Sequence, residues 1–196
     1  MRGTTHARTG RAAWFYVAPL TGAGLALSGA SLEDLALFAT GLIVATGAAY
    51  GPDIDNRWST ARHNVPAGGV VSALASKVFG GHRVGTHSLL SILVTGLITG
   101  GAAWWFASLE VLPWSAIHFG TVIGVSVATG WASHIFGDLL TERGCALFYP
   151  LSRKRVRIMR LKTSKPKPAS MNFGEFIFNL TLVIAQVYAV LLIINT

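Results

Sequence analysis

The chain has 196 residues, of which 52% are hydrophobic and only 12% charged, with a net charge of +8 and a mean hydropathy of +0.52. Soluble domains carry about 25% charged residues, so this composition excludes an ordinary soluble globular domain and reads as one integral membrane domain over residues 1–196. An α-helix needs about 20 apolar residues to cross the hydrocarbon core of a bilayer. Residues 12–31, 88–109, 113–137 and 172–194 approach or exceed that length, and residues 35–50 form a shorter fifth candidate. The expectation is an all-α, polytopic membrane helix bundle of about five transmembrane helices. Three arginines ahead of the first apolar run resemble a signal peptide, but the run is longer than a usual signal core and reads as an uncleaved first span. Residues 66–79, "PAGGVVSALASKVF", are too short and Gly-rich to cross and predict an interfacial or re-entrant helix. Pro113 is placed to open its helix, because the first helical position needs no N–H donor.

With these five spans, all 16 Lys and Arg residues fall in segments on one side, 1–11, 51–87 and 138–171. The opposite connections carry Glu33, Asp34 and Glu110 and no base. The positive-inside rule then sets the basic side, and the N-terminus, in the cytoplasm. The run "RKRVRIMRLKTSKPKP" within residues 152–171 is a basic juxtamembrane segment suited to anionic lipid headgroups. A basic patch beside a membrane does not by itself call for nucleic acid, and no nucleic-acid partner is expected. The single cysteine, Cys145, rules out an intramolecular disulfide and reads as a packing residue.

In so apolar a chain the remaining polar residues are informative. Asp53 and Asp55 lie in "GPDIDNRWS", His82 and His87 in "GHRVGTHS", and His134 and Asp138 in "ASHIFGDLLTERG". All three segments sit at the basic-side ends of predicted spans. His134 and Asp138, four apart, share a helix face. Asp53 and Asp55, two apart after Pro52, would point the same way from an extended loop. His82 precedes the third span, and His87 lies in its first turn with Thr86 as the expected N-cap. Imidazole with carboxylate suits zinc, or manganese or iron. Six ligands exceed the needs of one tetrahedral ion, so two or more divalent metals are expected, with zinc first. His118 lies roughly 24 Å along the helix from His134 and is left out. His63 could reach the site but has no ligand spacing with its neighbours. His6, in "TTHARTG", reads on its own as an exposed tail residue.

The ordered motifs "TH", "PDID" with Ser59, "HR", "THS", "SH" and "D" before "LT", followed by Pro150 and a basic segment, resemble the YdjM-like bacterial inner-membrane family. The resemblance runs from about Thr5 to Arg153. It implies a metal-dependent hydrolase associated with the LexA-regulated damage response, and a distant likeness to zinc-dependent phospholipase C. It also adds His6 to the metal ligands. The sequence departs from the family pattern at Gly51, where Leu is usual, and in the position of the glycine in "HRVGTHS".

The chemistry expected is metal-assisted hydrolysis of a phosphoester of a lipid or other amphiphile at the cytoplasmic membrane face. Asp55 or Asp138 would accept the proton, and Arg83 would steady the anionic substrate through its planar fork. Thr86, Ser88 and Thr141 would orient the ligands. The alternative is a metal-stabilised membrane scaffold or regulator, or a metal carrier.

Overall fold

The computed structural model describes residues 3–23, 31–56, 58–59, 62–63, 67–110, 112–161 and 173–194. Among these it shows six α-helices: α1 Gly3–Val17, α2 Leu32–Ala48, α3 Gly68–Val78, α4 Leu89–Ala107, α5 Ala116–Leu139 and α6 Phe173–Ile194. Short 3₁₀ turns cover Ala18–Thr21, Gly51–Asp55 and Gly85–His87. No strand occurs among the described residues, only isolated bridges pairing Thr141 with Leu161 and Cys145 with Val156. By length and composition three segments can cross a membrane: Leu32–Asp55, Leu89–Ala107 and Ala116–Leu139. Shorter apolar helices lie at Gly68–Val78 and Phe176–Val190. The all-helical membrane bundle expected from composition is therefore present.

Four local expectations change. The first helix begins at Gly3, nine residues before the apolar run, and gives way to a 3₁₀ turn at Ala18; Pro19 cannot continue an α-helix, so the chain tightens there. The distal part of the expected 12–31 span falls outside the described residues. Pro113 does not open α5, which starts at Ala116 after Ser115. Ser88, not Thr86, caps α4, accepting from Ser91 N at 3.2 Å. Residues 51–55 form a 3₁₀ turn rather than an extended loop, with Pro52 near its start, where the fixed φ is compatible with the turn. At three residues per turn, positions two apart point to different sides. Asp53 and Asp55 nonetheless reach the same histidine, their Oδ1 atoms lying 3.9 and 2.8 Å from His82 Nδ1.

Helix α5 is the central post, packed by α1, α2 and α4, while α6 rests on α1. At one end of this core Trp14 is fully buried with Leu37, Phe38 and Val122, and its indole donates to Phe38 O at 3.0 Å. A second cluster, Ile135, Leu139 and Cys145, lies under the loop that follows α5. Helix α2 starts with a capping box, Ser31 Oγ accepting from Asp34 N while Asp34 Oδ2 accepts from Ser31 N.

Three helices meet at Ala45. A Cβ at Gly10 of α1 would lie 2.7 Å from Ala45 O, and one at Gly130 of α5 would collide with the same oxygen. The missing side chains let α1 and α5 close on α2. One helical turn from each glycine stand His6 and His134, so this close approach delivers both imidazoles to one place.

Candidate metal centre

The centre is assembled from the first turn of α1, the 3₁₀ turn after α2, the loop and 3₁₀ turn before α4, and the last turns of α5. His6, His87, His134 and Asp138 are buried essentially completely, and Asp55 nearly so. Asp53 and His82 keep 20% and 31% of their side chains exposed, so the cluster opens on that side. Two groups have ligand atoms mutually within 4.8 Å: His6, His134 and Asp138 deep in the bundle, and Asp53, His82 and His87 nearer the surface.

A closed circuit joins the two groups. His87 Nε2 lies 3.8 Å from Asp53 Oδ1 and 3.4 Å from Asp138 Oδ2. His134 Nε2 lies 3.7 Å from each of the same two oxygens. Metal bonds of about 2.0–2.2 Å put the corners of a tetrahedron about 3.3–3.6 Å apart. The circuit therefore has the dimensions of a ligand cage.

Hydrogen bonds fix which imidazole nitrogen faces the cage. His134 Nδ1 is 2.7 Å from Ala49 O, an acceptor only, so Nδ1 carries the proton and Nε2 keeps its lone pair. The Thr86 hydroxyl donates to Asp55 Oδ2 at 2.6 Å and can then only accept from His87 Nδ1, 2.9 Å away. His87 Nε2 is thereby also left as the lone-pair nitrogen. His82 Nδ1 donates to Asp55 Oδ1 at 2.8 Å, which leaves its own Nε2. The Nε2 atoms of His87 and His134 are buried without a hydrogen-bond partner. A buried lone pair with no donor is costly, and a cation removes that cost. Imidazoles oriented through their far nitrogen by a carbonyl or carboxylate are the usual surroundings of a bound metal. The residues fit one.

His6 completes the inner group. Its ring stacks on His134, centroids 3.7 Å apart, and its Nε2 lies 3.6 Å from Asp138 Oδ1. The resemblance to the family placed this histidine among the ligands; the exposed-tail reading of the bare sequence does not hold. Its side chain is drawn in because α1 begins early enough to include it. Asn179 of α6 bonds Arg8 at 3.0 Å and Thr5 at 3.4 Å, clasping that first turn.

Arg83 is turned inward. It is buried, donating from Nη2 to Asp138 Oδ1 at 2.7 Å and from Nη1 to Thr141 Oγ1 at 2.9 Å. Its φ of +66° is the left-handed region that bulky side chains avoid. The strained backbone, held by Ala146 N donating to Arg83 O, aims the guanidinium at Asp138. Thr141 sits beneath it and also donates to Asp138 O at 2.8 Å. Asp55 has both oxygens engaged by His82 and Thr86. Thr86 thus orients rather than caps, and Ser88 caps α4 while donating to Gly85 O.

The remaining candidates stay outside. His118 bonds Thr21 O at 3.0 Å, beyond the opposite end of α1 from His6. His63 is exposed and belongs to neither group. Cys145 is buried, and burial pushes its thiol up to about 12. Two contributors went unread in the sequence. Ala49 O orients His134, and Trp131 donates to Thr86 O at 2.9 Å, pinning the loop that holds His87. A tryptophan three residues before a ligand histidine on the same helix was the available signal for the second. A carbonyl leaves none. Gly51 lies against the Trp131 ring, where any Cβ would collide, so the departure from the family's Leu is matched by that ring.

No curated protein and no solved structure matches the chain. The family model of the YdjM inner membrane protein matches residues 1–195, extending past the Arg153 limit of the motif resemblance to take in α6. With its apolar helices and its buried His and Asp cluster, the chain belongs to the YdjM inner membrane protein family.

Proposed function

We propose that this protein is a membrane-embedded, metal-dependent hydrolase that cleaves a phosphoester of a lipid or other amphiphile at the cytoplasmic face of the inner membrane. The observation that carries the reading is the pair of buried Nε2 lone pairs of His87 and His134, facing Asp53 and Asp138 on one side of an apolar bundle. Ionisable groups at membrane depth are costly and generally functional. The one-sided distribution of Lys and Arg supports the cytoplasmic assignment.

His87, His134, Asp53 and Asp138 would hold one divalent ion, with His6 and His82 extending the set to a second; zinc suits the donors best. Such ions lower the pKa of a bound water and stabilise charge on a phosphoryl oxygen. Asp138, held by Arg83, presents Oδ2 to the two imidazoles. Asp55 orients His82 directly and His87 through Thr86. The sequence reading gave the proton-accepting role to Asp55 or Asp138, but both are buried and engaged. Asp53 is the better candidate, being a carboxylate of the cage with solvent access. Arg83 positions Asp138 and does not meet substrate.

The test is elemental analysis of the purified protein, followed by a screen of phospholipids and soluble phosphoesters with the metal removed and then restored. The expected result is bound zinc, cleavage of an amphiphilic phosphoester, and loss and recovery of turnover with the metal. If no phosphoester is cleaved and each metal is closed off by protein ligands, the centre is structural and the protein a scaffold.

A further inference from the structure

Beside the metal centre lies a cavity of about 430 Å³ with Asp55 and His82 in its wall. These two side chains are bonded to each other, and His82 Nδ1 is 3.9 Å from Asp53 Oδ1, so whatever fills the cavity stands next to the centre. Its volume is in the range of small-molecule sites. Among the described lining residues Arg62 is the one Lys or Arg, and α3 contributes Ser72 and Ser76 to the wall. The Arg62 backbone is fixed by its N–H donating to Ser59 Oγ at 3.2 Å. Its guanidinium lies along the first turn of α3, where a Cβ at Gly69 would sit 3.3 Å from Nη2. The absent side chain at 69 leaves the guanidinium room within the cavity wall.

The other face of α3 is different. Val70, Leu74 and Val78 follow at four-residue spacing, all strongly exposed, and on an α-helix they point away from Ser72 and Ser76. Trp58, also exposed, flanks the opening. A short helix with one apolar face outward and one polar face inward suits the plane of the membrane interface. The cavity thus has Arg62, Asp55, His82 and two serines in its lining and an exposed apolar helix face beside it.

We propose that this cavity receives the anionic headgroup of a membrane phospholipid, with Arg62 reading its phosphate and α3 lying in the interface above it. The chemistry recognised is a phosphate oxygen pair, which the planar guanidinium matches in geometry. The exposed apolar face of α3 and Trp58 commit the source to a lipid rather than free phosphate. The proposal rests on the hydrolase reading only in taking the bound lipid for that reading's substrate.

The test is calorimetric binding of dodecylphosphonate, an amphiphilic phosphate mimic with no ester to cleave, to full-length zinc-loaded protein in detergent, with inorganic phosphate as the soluble comparison. Arg62→Ala is expected to weaken the phosphonate about tenfold or more, the worth of a charge-assisted bond, and Arg62→Lys is expected to recover part of it. Ala73→Leu, which fills the cavity from exposed α3 and keeps Arg62 in the chain, is expected to weaken it too and decides the matter if Arg62→Ala does not fold. Metal content should be unchanged in all three variants. Wild-type affinity in both Arg62→Ala and Ala73→Leu would overturn the proposal. Inorganic phosphate binding as tightly as the amphiphile, with the same dependence on Arg62, would overturn the lipid assignment. A wild-type protein that binds the phosphonate through Arg62 yet cleaves nothing would remove the hydrolase and leave the headgroup cavity standing. Cleavage with no Arg62 dependence of binding would do the reverse.

Discussion

The two halves of the metal centre are built in different ways. The inner half, His6, His134 and Asp138, stands on α1 and α5 where glycines let those helices close on Ala45. The outer half, Asp53, His82 and His87, stands on 3₁₀ turns and a loop, is partly open, and is steered by Asp55 and Thr86. Helix packing therefore brings the inner ligands together, with Ala49 O and Arg83 holding His134 and Asp138, while the outer ligands depend on hydrogen bonds within turns and a loop. Damage to the first should cost both fold and metal, and damage to the second chiefly metal.

The largest effect is expected from Asp138→Ala. It removes a cage ligand and leaves Arg83 buried without its carboxylate. Breaking a buried ion pair from one side costs about 3–5 kcal/mol. Thermal unfolding in detergent should show a loss of that size even in metal-free protein, together with loss of bound metal. An unchanged metal-free stability would mean that Arg83 finds another partner and that the inner half is not held by this pair.

Gly130→Val should come next. The new side chain meets Ala45 O, a backbone atom that cannot turn aside. Overpacking of this kind costs about 1–3 kcal/mol, and prising α5 from α2 also moves His134, one turn away. Stability and metal content should fall together. Normal metal content in a destabilised Gly130→Val protein would show that the ligand positions tolerate helix displacement, and the contrast between the halves would weaken.

Much of this construction is legible in the chain. Six ligand residues stand out because polar side chains are scarce in so apolar a sequence, and two of the membrane-capable segments, Leu89–Ala107 and Ala116–Leu139, announce themselves by length. What could not be read depends on partners far away in sequence. Arg83 and Asp138 are 55 residues apart, and nothing local shows that the arginine faces inward. Asp53 and Asp55 stand on a 3₁₀ turn rather than an extended loop, and Pro52 permits both. His6 sits in a stretch whose arginines give it the look of a tail; only the contacts of α1 with α2, α5 and α6 make it a buried helix.

For the outer half the sharpest variant is Asp55→Ala. It frees His82 Nδ1 and the Thr86 hydroxyl, so that neither His82 nor His87 is held in the tautomer that points Nε2 at the cage. Losing an orienting partner typically costs about 10–100-fold in metal affinity. Competition with a zinc chelator should register a drop of that order, with metal-free stability changing less than in Asp138→Ala. If Asp55→Ala were the less stable of the two, the outer half would be carrying the fold and the division drawn here would be reversed.

The smallest effect is expected at the opposite end of α5. His118 bonds Thr21 O, tying the start of α5 to the turn after α1. It stands sixteen residues before His134 on one continuous helix, about 24 Å away at 1.5 Å per residue, too far to touch the cage. Removing one such bond costs about 0.5–1.5 kcal/mol. His118→Ala should therefore lower the unfolding temperature slightly while chelator competition and metal content match the wild type. That pattern, fold without metal, complements Asp55→Ala, metal with little fold, and Asp138→Ala, which loses both. A measurable loss of metal in His118→Ala would mean that strain at one end of α5 reaches the ligands at the other, and the centre would have to be treated as coupled to the whole length of the helix rather than to its last turns.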